Sequence, residues 1–233
     1  HGYVPIYLIQ TGKCERAIAM DVNRGPLLRA KNHIEEQGLS FQIDTRLSDG
    51  VNHLSRGEVE CVVIAGMGGA LTVRILEQGE QIFRALKEFV LQPQSEIWKV
   101  REYLCEAGYL IVDEDMIFED GKFYPMMKVI NGQAPVYNNI ELKYGKVLLE
   151  NKHPVLADFL KIELQKQTIV LENLETRQGD HIEQRRKEIL EKIQSAKAIK
   201  ITGKAGLDAY AGDITVMANI IAEISDEGIP PLP

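Results

Sequence analysis

Cysteine is scarce in this sequence of 233 residues: Cys14, Cys61 and Cys105 are each more than 40 residues from the next. An odd and widely spaced set forms neither a disulfide framework nor a zinc or redox motif, so a reducing cytoplasm is the expected compartment. Long apolar runs are missing too. None approaches the roughly 18 residues that suggest a membrane span. No G-x-G-x-x-G string, Walker A loop, kinase motif or Ser/His/Asp set occurs. The five histidines are scattered, and no bound metal is expected. Positive charge is not in excess either: the net charge is −7, which gives no general sign of a nucleic-acid partner. What remains is ordinary, with 45% apolar and 26% charged residues, and this excludes a disordered or collagen-like chain.

Apolar runs broken by glycine and proline give the organisation. Pro5 followed by Ile6, Leu8 and Ile9 reads as a short helix over 5–11 that Gly12 stops. Residues 17–21 (AIAMD), 41–46, 60–65 (ECVVIA) and 88–91 read as strands. Helices are predicted over 26–37, 71–86 and 97–107. Two further strands, 109–112 and 122–130, flank Asp120-Gly121 as an antiparallel pair. Alternating strands and helices imply a parallel, doubly wound α/β sheet. The first helix has no strand before it. One strand, with a glycine-rich loop, is expected upstream of His1, where no charged leader and apolar core of a signal peptide is visible.

From about 149 the pattern changes. Leu156, Leu160, Leu164, Gln167, Leu171 and Leu174 step by four and three, as do Ile182, Arg186, Ile189, Ile193 and Ala196, with Gly179-Asp180 between them. Such seams predict an antiparallel, coiled-coil-like helical hairpin over 149–201; a helical layer on the sheet is the alternative. This is the only positively charged part. It carries net +2, against −5 for 1–140 and −4 for 202–233. Arg177, Arg185, Arg186, Lys187 and Lys192 gather near its break and could contact phosphates, unless they simply solvate a helix surface. Residues 202–233 read as a tail with one helix near 212–225 and no chemistry.

Ligands of open α/β sheets bind beyond the carboxyl ends of the strands. Those ends are polar or glycine-rich here. Asp21 closes a strand and could accept from both ribose hydroxyls; capping the next helix is the competing reading. Asp49-Gly50, beside Ser48, offers an acceptor for an adenine amine or a plain β-turn. Gly66-Met67-Gly68-Gly69 joins a strand to a helix, where absent side chains let backbone approach a ligand closely, or serve packing alone. Gln92-Pro93-Gln94 ends the next strand.

Taken together, His1-Gly2-Tyr3-Val4-Pro5, Ala17–Asp21, Ser48-Asp49-Gly50, Ile64–Ala70 (IAGMGGA) and Leu91–Gln94 resemble the bacterial tRNA (adenine-N1) methyltransferases that modify position 22 of tRNA. That resemblance covers about residues 1–200. It implies a class I, Rossmann-like S-adenosylmethionine-binding domain over 1–148, then the helical hairpin. The family's first motif, D-x-G-x-D-H-x-Y-x-P, is present only from His1 to Pro5, so its acid before the histidine lies outside this chain. The resemblance further implies that His1 and Tyr3 border the methionine end of S-adenosylmethionine. Asp21, Val22 and Asn23 would hold its ribose, Asp49 and Gly50 its adenine, and Ala65, Gly66, Met67, Gly68 and Gly69 the floor beside the methyl group. Gln92, Pro93, Gln94 and His1 are the candidate catalytic residues. Amino-methylating relatives carry Asn-Pro-Pro-aromatic where Gln92-Pro93-Gln94 stand. A ring nitrogen has an in-plane lone pair and needs no such acceptor for its protons. The implied partner is tRNA; the oligomeric state stays open, with a monomer slightly favoured. A nicotinamide-dependent oxidoreductase would also use Asp21, but no catalytic Tyr/Lys or His/Arg set accompanies it. A non-catalytic RNA-binding module would use the hairpin alone.

Overall fold

Short apolar stretches closed by glycine or acid become the inner elements of a layered α/β protein. The computed structural model describes residues 1–175 and 180–198. In chain order these form α1 (Tyr3–Gln10), β1 (Ala17–Asp21), α2 (Arg24–Glu36), β2 (Ile43–Leu47), β3 (Cys61–Met67), α3 (Gly69–Gln78), α4 (Glu80–Phe83), β4 (Glu88–Pro93), α5 (Ile97–Glu106), β5 (Tyr109–Glu119) and β6 (Lys122–Asn131). The helices α6 (Asn139–Tyr144), α7 (Lys146–Glu150), α8 (Pro154–Glu175) and α9 (Asp180–Ala198) follow.

The expected single sheet is divided among the described residues. β1 and β2 pair in parallel, Ala17 opposite Ile43 through Asp21 opposite Leu47. The other four strands lie in the order β3-β4-β6-β5. Of these, β3 and β4 are parallel, and β6 is antiparallel to both its neighbours. The sheet is therefore mixed, with the expected antiparallel pair β5–β6 beside the parallel strands. α1 packs on both parts. Ile6 and Ile9 meet Ala17, Ala19, Ile34 and Ile43, whereas Val4, Tyr7 and Leu8 meet Val63, Ala65, Val90 and Met126. This explains why the helix is apolar on every side. The main core fills the opposite face of β3-β4-β6-β5. There Phe83, Phe89 and Tyr109 meet edge to face with centroids 5.1 and 5.3 Å apart, over Leu76, Leu91, Val100 and Leu104.

Three departures from the sequence pattern have local causes. The helix predicted over 71–86 breaks at Gly79, where an added Cβ would lie 2.2 Å from Val51 Cγ2, so glycine admits the Val51 side chain. β5 runs on to Glu119 because its acidic stretch alternates: Glu114 and Met116 turn inward while Asp113, Asp115 and Ile117 are less buried. It pairs with β6 around Asp120-Gly121, whose φ values of 48° and 75° fit a tight two-residue hairpin turn. α6 was marked by a capping box, in which Asn138 Oδ1 accepts from the amides of Ile140 and Glu141 while Glu141 accepts from the Asn138 amide.

α8 and α9 run antiparallel. Ala196, late in α9, packs with Leu156 and Leu160 at the start of α8, and Arg186 donates to the carbonyl of Leu174 near the end of α8. The apolar seam of α9 (Ile182, Ile189, Ile193, Ala196) is buried. The same cluster includes Met116, Tyr144 and Leu148, so the helical pair is anchored on β5 through α6 and α7. Arg177, the Lys192 side chain, the Gly179 break and the helix expected near 212–225 lie outside the described residues.

Candidate functional site

The carboxyl ends of four strands are tied to one another by hydrogen bonds. At the end of β1, Asp21 Oδ1 accepts from the Asn23 amide at 2.7 Å, and the Asp21 carbonyl accepts from the Ser48 amide at 2.9 Å. Asp21 thus shapes the turn into α2 rather than capping the helix itself, whose N-cap is Asn23. Its second carboxylate oxygen has no partner among the described residues, which leaves it open to a hydroxyl pair. Val22 and Asn23 beside it are exposed.

Beyond β2, buried Ser48 donates to the Gly50 carbonyl at 3.0 Å and accepts from the His53 amide at 3.2 Å. Gly50 holds φ 57°, and a Cβ there would lie 3.0 Å from Ile75 of α3. Asp49 accepts from Arg74 of α3 at 3.0 Å. Since α3 starts from the end of β3, the Asp49–Arg74 and Gly50–Ile75 contacts bring the end of β2 alongside the end of β3. Arg74 has no sequence motif to mark it.

The β3 and β4 ends interlock more tightly. The Gly66 amide donates to Gln92 Oε1 at 2.9 Å, Gln94 N–H donates to the Met67 carbonyl at 2.8 Å, and Gly69 N–H donates to the Ser95 carbonyl at 2.9 Å. The glycines divide by role. A Cβ on Gly69 would sit 2.5 Å from the Ser95 carbonyl oxygen and one on Gly68 would sit 3.1 Å from Ser95 Oγ, so packing accounts for those two. Gly66 is exposed with φ 76°, and the nearest atom to an added Cβ is Gln94 Nε2 at 3.9 Å. Gly66 therefore offers bare backbone to a ligand. The side chains of Ala65 and Met67 pack inward, against the α1 cluster and the main core respectively, and their backbone pairs with β4.

Two expectations change. Gln92, named as a candidate catalytic residue, is 3% exposed and its side-chain oxygen accepts from the Gly66 amide; its Nε2 has no partner among the described residues. The buried amide makes it a positioning residue. Pro93 is likewise buried, and only Gln94 of the three is exposed. His1 and Tyr3 stack with His33 of α2, with centroids 6.4 and 5.2 Å from the His33 ring, and His33 Nδ1 lies 2.9 Å from the His1 carbonyl oxygen. Their rings are thus engaged on α2, and His33, one of the scattered histidines, belongs to this cluster.

On the helical pair, Arg185 bonds Glu188 at 2.9 Å, and Arg186 bonds Glu183 and the Leu174 carbonyl. Arg186 consequently fastens α9 to α8 in addition to any outward role. Lys187 is exposed. A separate concavity of about 430 Å³ lies at the α3–α4 break, lined by Val51, Asn52, Leu54 and Glu77–Ile82, and includes none of the strand-end residues above. Among the described residues no group of three or more His, Cys, Asp or Glu is placed to hold a metal, and no helix is long and apolar enough to cross a membrane.

Chemically, the arrangement provides an acid with a free oxygen, a second acid near a cation, and a rigid strip of exposed backbone. That set suits a ligand with ribose hydroxyls, an amine-bearing base and a small reactive group. Comparison with known proteins gives the family. The family model described as tRNA (adenine(22)-N(1))-methyltransferase matches residues 1–198. The protein of that description from Bacillus subtilis (strain 168) is 31% identical over 205 residues, 85% of this chain and 86% of its own. A Streptococcus pneumoniae structure in complex with S-adenosyl-L-methionine is 32% identical with a TM-score of 0.75, covering 85% and 87% of the two chains. M. capricolum TrmK in complex with S-adenosyl-homocysteine is 25% identical with a TM-score of 0.71, covering 84% and 86%.

Proposed function

Because this chain belongs to the tRNA (adenine(22)-N(1))-methyltransferase family, we infer that its strand ends bind S-adenosylmethionine and present the methyl group to N1 of an adenine in tRNA, at position 22. The observation that carries the site assignment is the interlocked set Asp21–Ser48, Asp49–Arg74 and Gly66–Gln92, which holds three ligand-facing groups on one side of the fold.

The residues present fit the cofactor. When bound, it supplies an electrophilic methyl carbon on a sulfonium. The open oxygen of Asp21 would accept from the ribose hydroxyls, and Asp49, held by Arg74, would accept from the adenine amine. Gly66, fixed by Gln92, would keep bare backbone beside the methyl group. The acceptor adenine must leave its stack to arrive there. Its N1 lone pair forms the new N–C bond as the C–S bond breaks; the sulfonium charge passes to the methylated adenine, so no proton has to be removed. The protein's share is alignment and exclusion of water. A buried Gln92 suits this chemistry, since an in-plane nitrogen needs no side-chain base.

The α8–α9 pair is proposed as the part that meets the tRNA body, through exposed Lys187 and the outward face of Arg185, with residues 1–148 as the catalytic part. The expected setting is the cytoplasm, where tRNA is modified. Mass spectrometry of nucleosides from tRNA of cells with and without the gene tests the reading. Loss of 1-methyladenosine is expected, and an unchanged level refutes it.

A further inference from the structure

Trp98 is the sole tryptophan of the sequence, and it is 44% exposed. It stands in the first turn of α5, four residues after Gln94, whose amide is bonded to Met67. The start of α5 is fixed against the start of α3: Gly69 N–H donates to the Ser95 carbonyl, and there is no room between Gly69 and Glu96 for even a methyl group. Leu71, in the first turn of α3, is exposed as well. The helix starts that follow the ends of β3 and β4 thus carry an exposed aliphatic and an exposed aromatic side chain on backbone held together by a hydrogen bond. The Lys99 ammonium lies over one face of the Trp98 ring, 5.5 Å from its centroid, and is ion-paired with Glu96, so the other face is the one a base would use.

We propose that Trp98 is a stacking platform for a base of the tRNA that flanks the target adenine. The proposal rests on the methyltransferase reading. Drawing one adenine out of its stack strips its neighbour of a stacking partner. Proteins that recognise RNA meet such bases with aromatic faces. The position supports this occupant. The indole is exposed on the first turn of the helix that follows the end of β4, and the start of that helix is hydrogen-bonded to the start of α3. Stacking is tolerant of base identity, so Trp98 sets affinity and placement rather than the choice of tRNA.

The full chain, its Trp98→Phe and Trp98→Ala variants and unmodified tRNA test the proposal. Titration with tRNA should quench the fluorescence that distinguishes wild type from Trp98→Phe, saturating with tRNA binding, whereas S-adenosylhomocysteine alone should leave it unquenched. Trp98→Ala should raise the KM for tRNA on the order of tenfold, leave kcat within about twofold and keep the thermal shift with S-adenosylhomocysteine. Trp98→Phe should recover most of the loss. A KM for Trp98→Ala within twofold of wild type, no quenching by tRNA, or a loss confined to kcat overturns the proposal. Quenching that depends on protein concentration instead of tRNA also overturns it and indicates contact between copies. A wild-type chain that binds S-adenosylhomocysteine and methylates tRNA while these changes fail sinks the platform alone; one that does neither sinks the methyltransferase reading.

Discussion

Replacing Glu114 by alanine should be among the most damaging single changes in the protein. Glu114 and Arg101 form an ion pair with Nε–Oε1 at 2.8 Å, and their side chains are 0% and 1% exposed. Arg101 also donates to the carbonyls of Leu142 and Lys143 at 2.9 and 3.2 Å, and Glu114 Oε2 accepts from the Val147 amide at 3.0 Å. One buried pair therefore joins α5, β5 and the α6–α7 junction that leads into the helical pair. Gly145 sits over it: a Cβ there would lie 2.6 Å from Glu114 Oε1 and 2.8 Å from Arg101 Nη2. Removing the carboxylate leaves a guanidinium buried against two carbonyls and strands the Val147 amide. Losing one partner of such a pair costs about 3–5 kcal/mol. At about 2–4 °C per kcal/mol for a chain of this size, the melting temperature should fall by roughly 6–20 °C. Glu114→Gln keeps an acceptor for Val147 and should cost less, while Arg101→Met with Glu114→Leu removes both charges and should recover much of the loss. Urea unfolding of wild type, Arg101→Met, Glu114→Leu and the double variant completes the double-mutant cycle, with Glu114→Ala and Glu114→Gln measured beside it. If Glu114→Ala stays within about 1 kcal/mol of wild type, or if the double variant is as unstable as the sum of its parts, the pair is not the fastening described.

Asp21→Ala should weaken S-adenosylhomocysteine binding by roughly tenfold or more, as expected for hydrogen bonds to a charged acceptor; calorimetry showing unchanged affinity would remove the ribose assignment. Gln92→Leu takes the acceptor from the Gly66 amide and should lower both affinity and turnover. Gln92→Glu keeps that acceptor and should retain more of each, so equal losses in the two variants count against a positioning role. Asp115 gives a pH signature. Burial pushes its carboxyl up, but hydrogen bonds from His153 at 2.8 Å and from the Met116 amide outweigh this and hold it below the usual range. A folded value below the unfolded one of about 3.9 adds stability above that pH, which is lost as pH falls through the folded value. His153→Ala should therefore move the midpoint of acid unfolding to higher pH, and a midpoint that does not move contradicts the coupling.

Legibility in the sequence followed how local each cause was. β1 was read to the residue, since AIAMD is an apolar run ended by an acid, and the Asp120-Gly121 turn followed from its dipeptide. The strand-end motifs were legible because polar and glycine residues stand out after apolar strands. The break of the 71–86 helix was not, because it depends on Val51 entering beside Gly79 from a distant loop. Nor could the sequence show that Gln92 turns inward to Gly66, that Arg74 reaches Asp49, or that His33 stacks on Tyr3: each is a meeting of elements far apart in the chain. The basic residues near the helical break were visible as composition, but composition does not show that Arg186 is committed to Leu174 and Glu183.

The most direct test is a transfer assay in which the full chain, unmodified tRNA and S-adenosylmethionine with a labelled methyl group are combined and the tRNA is digested to nucleosides. Label appearing as 1-methyladenosine, absent when adenine 22 is changed to guanine and strongly reduced in Asp21→Ala, is the predicted result. Label on the exocyclic amine, on another nucleoside, or undiminished by Asp21→Ala would contradict the account.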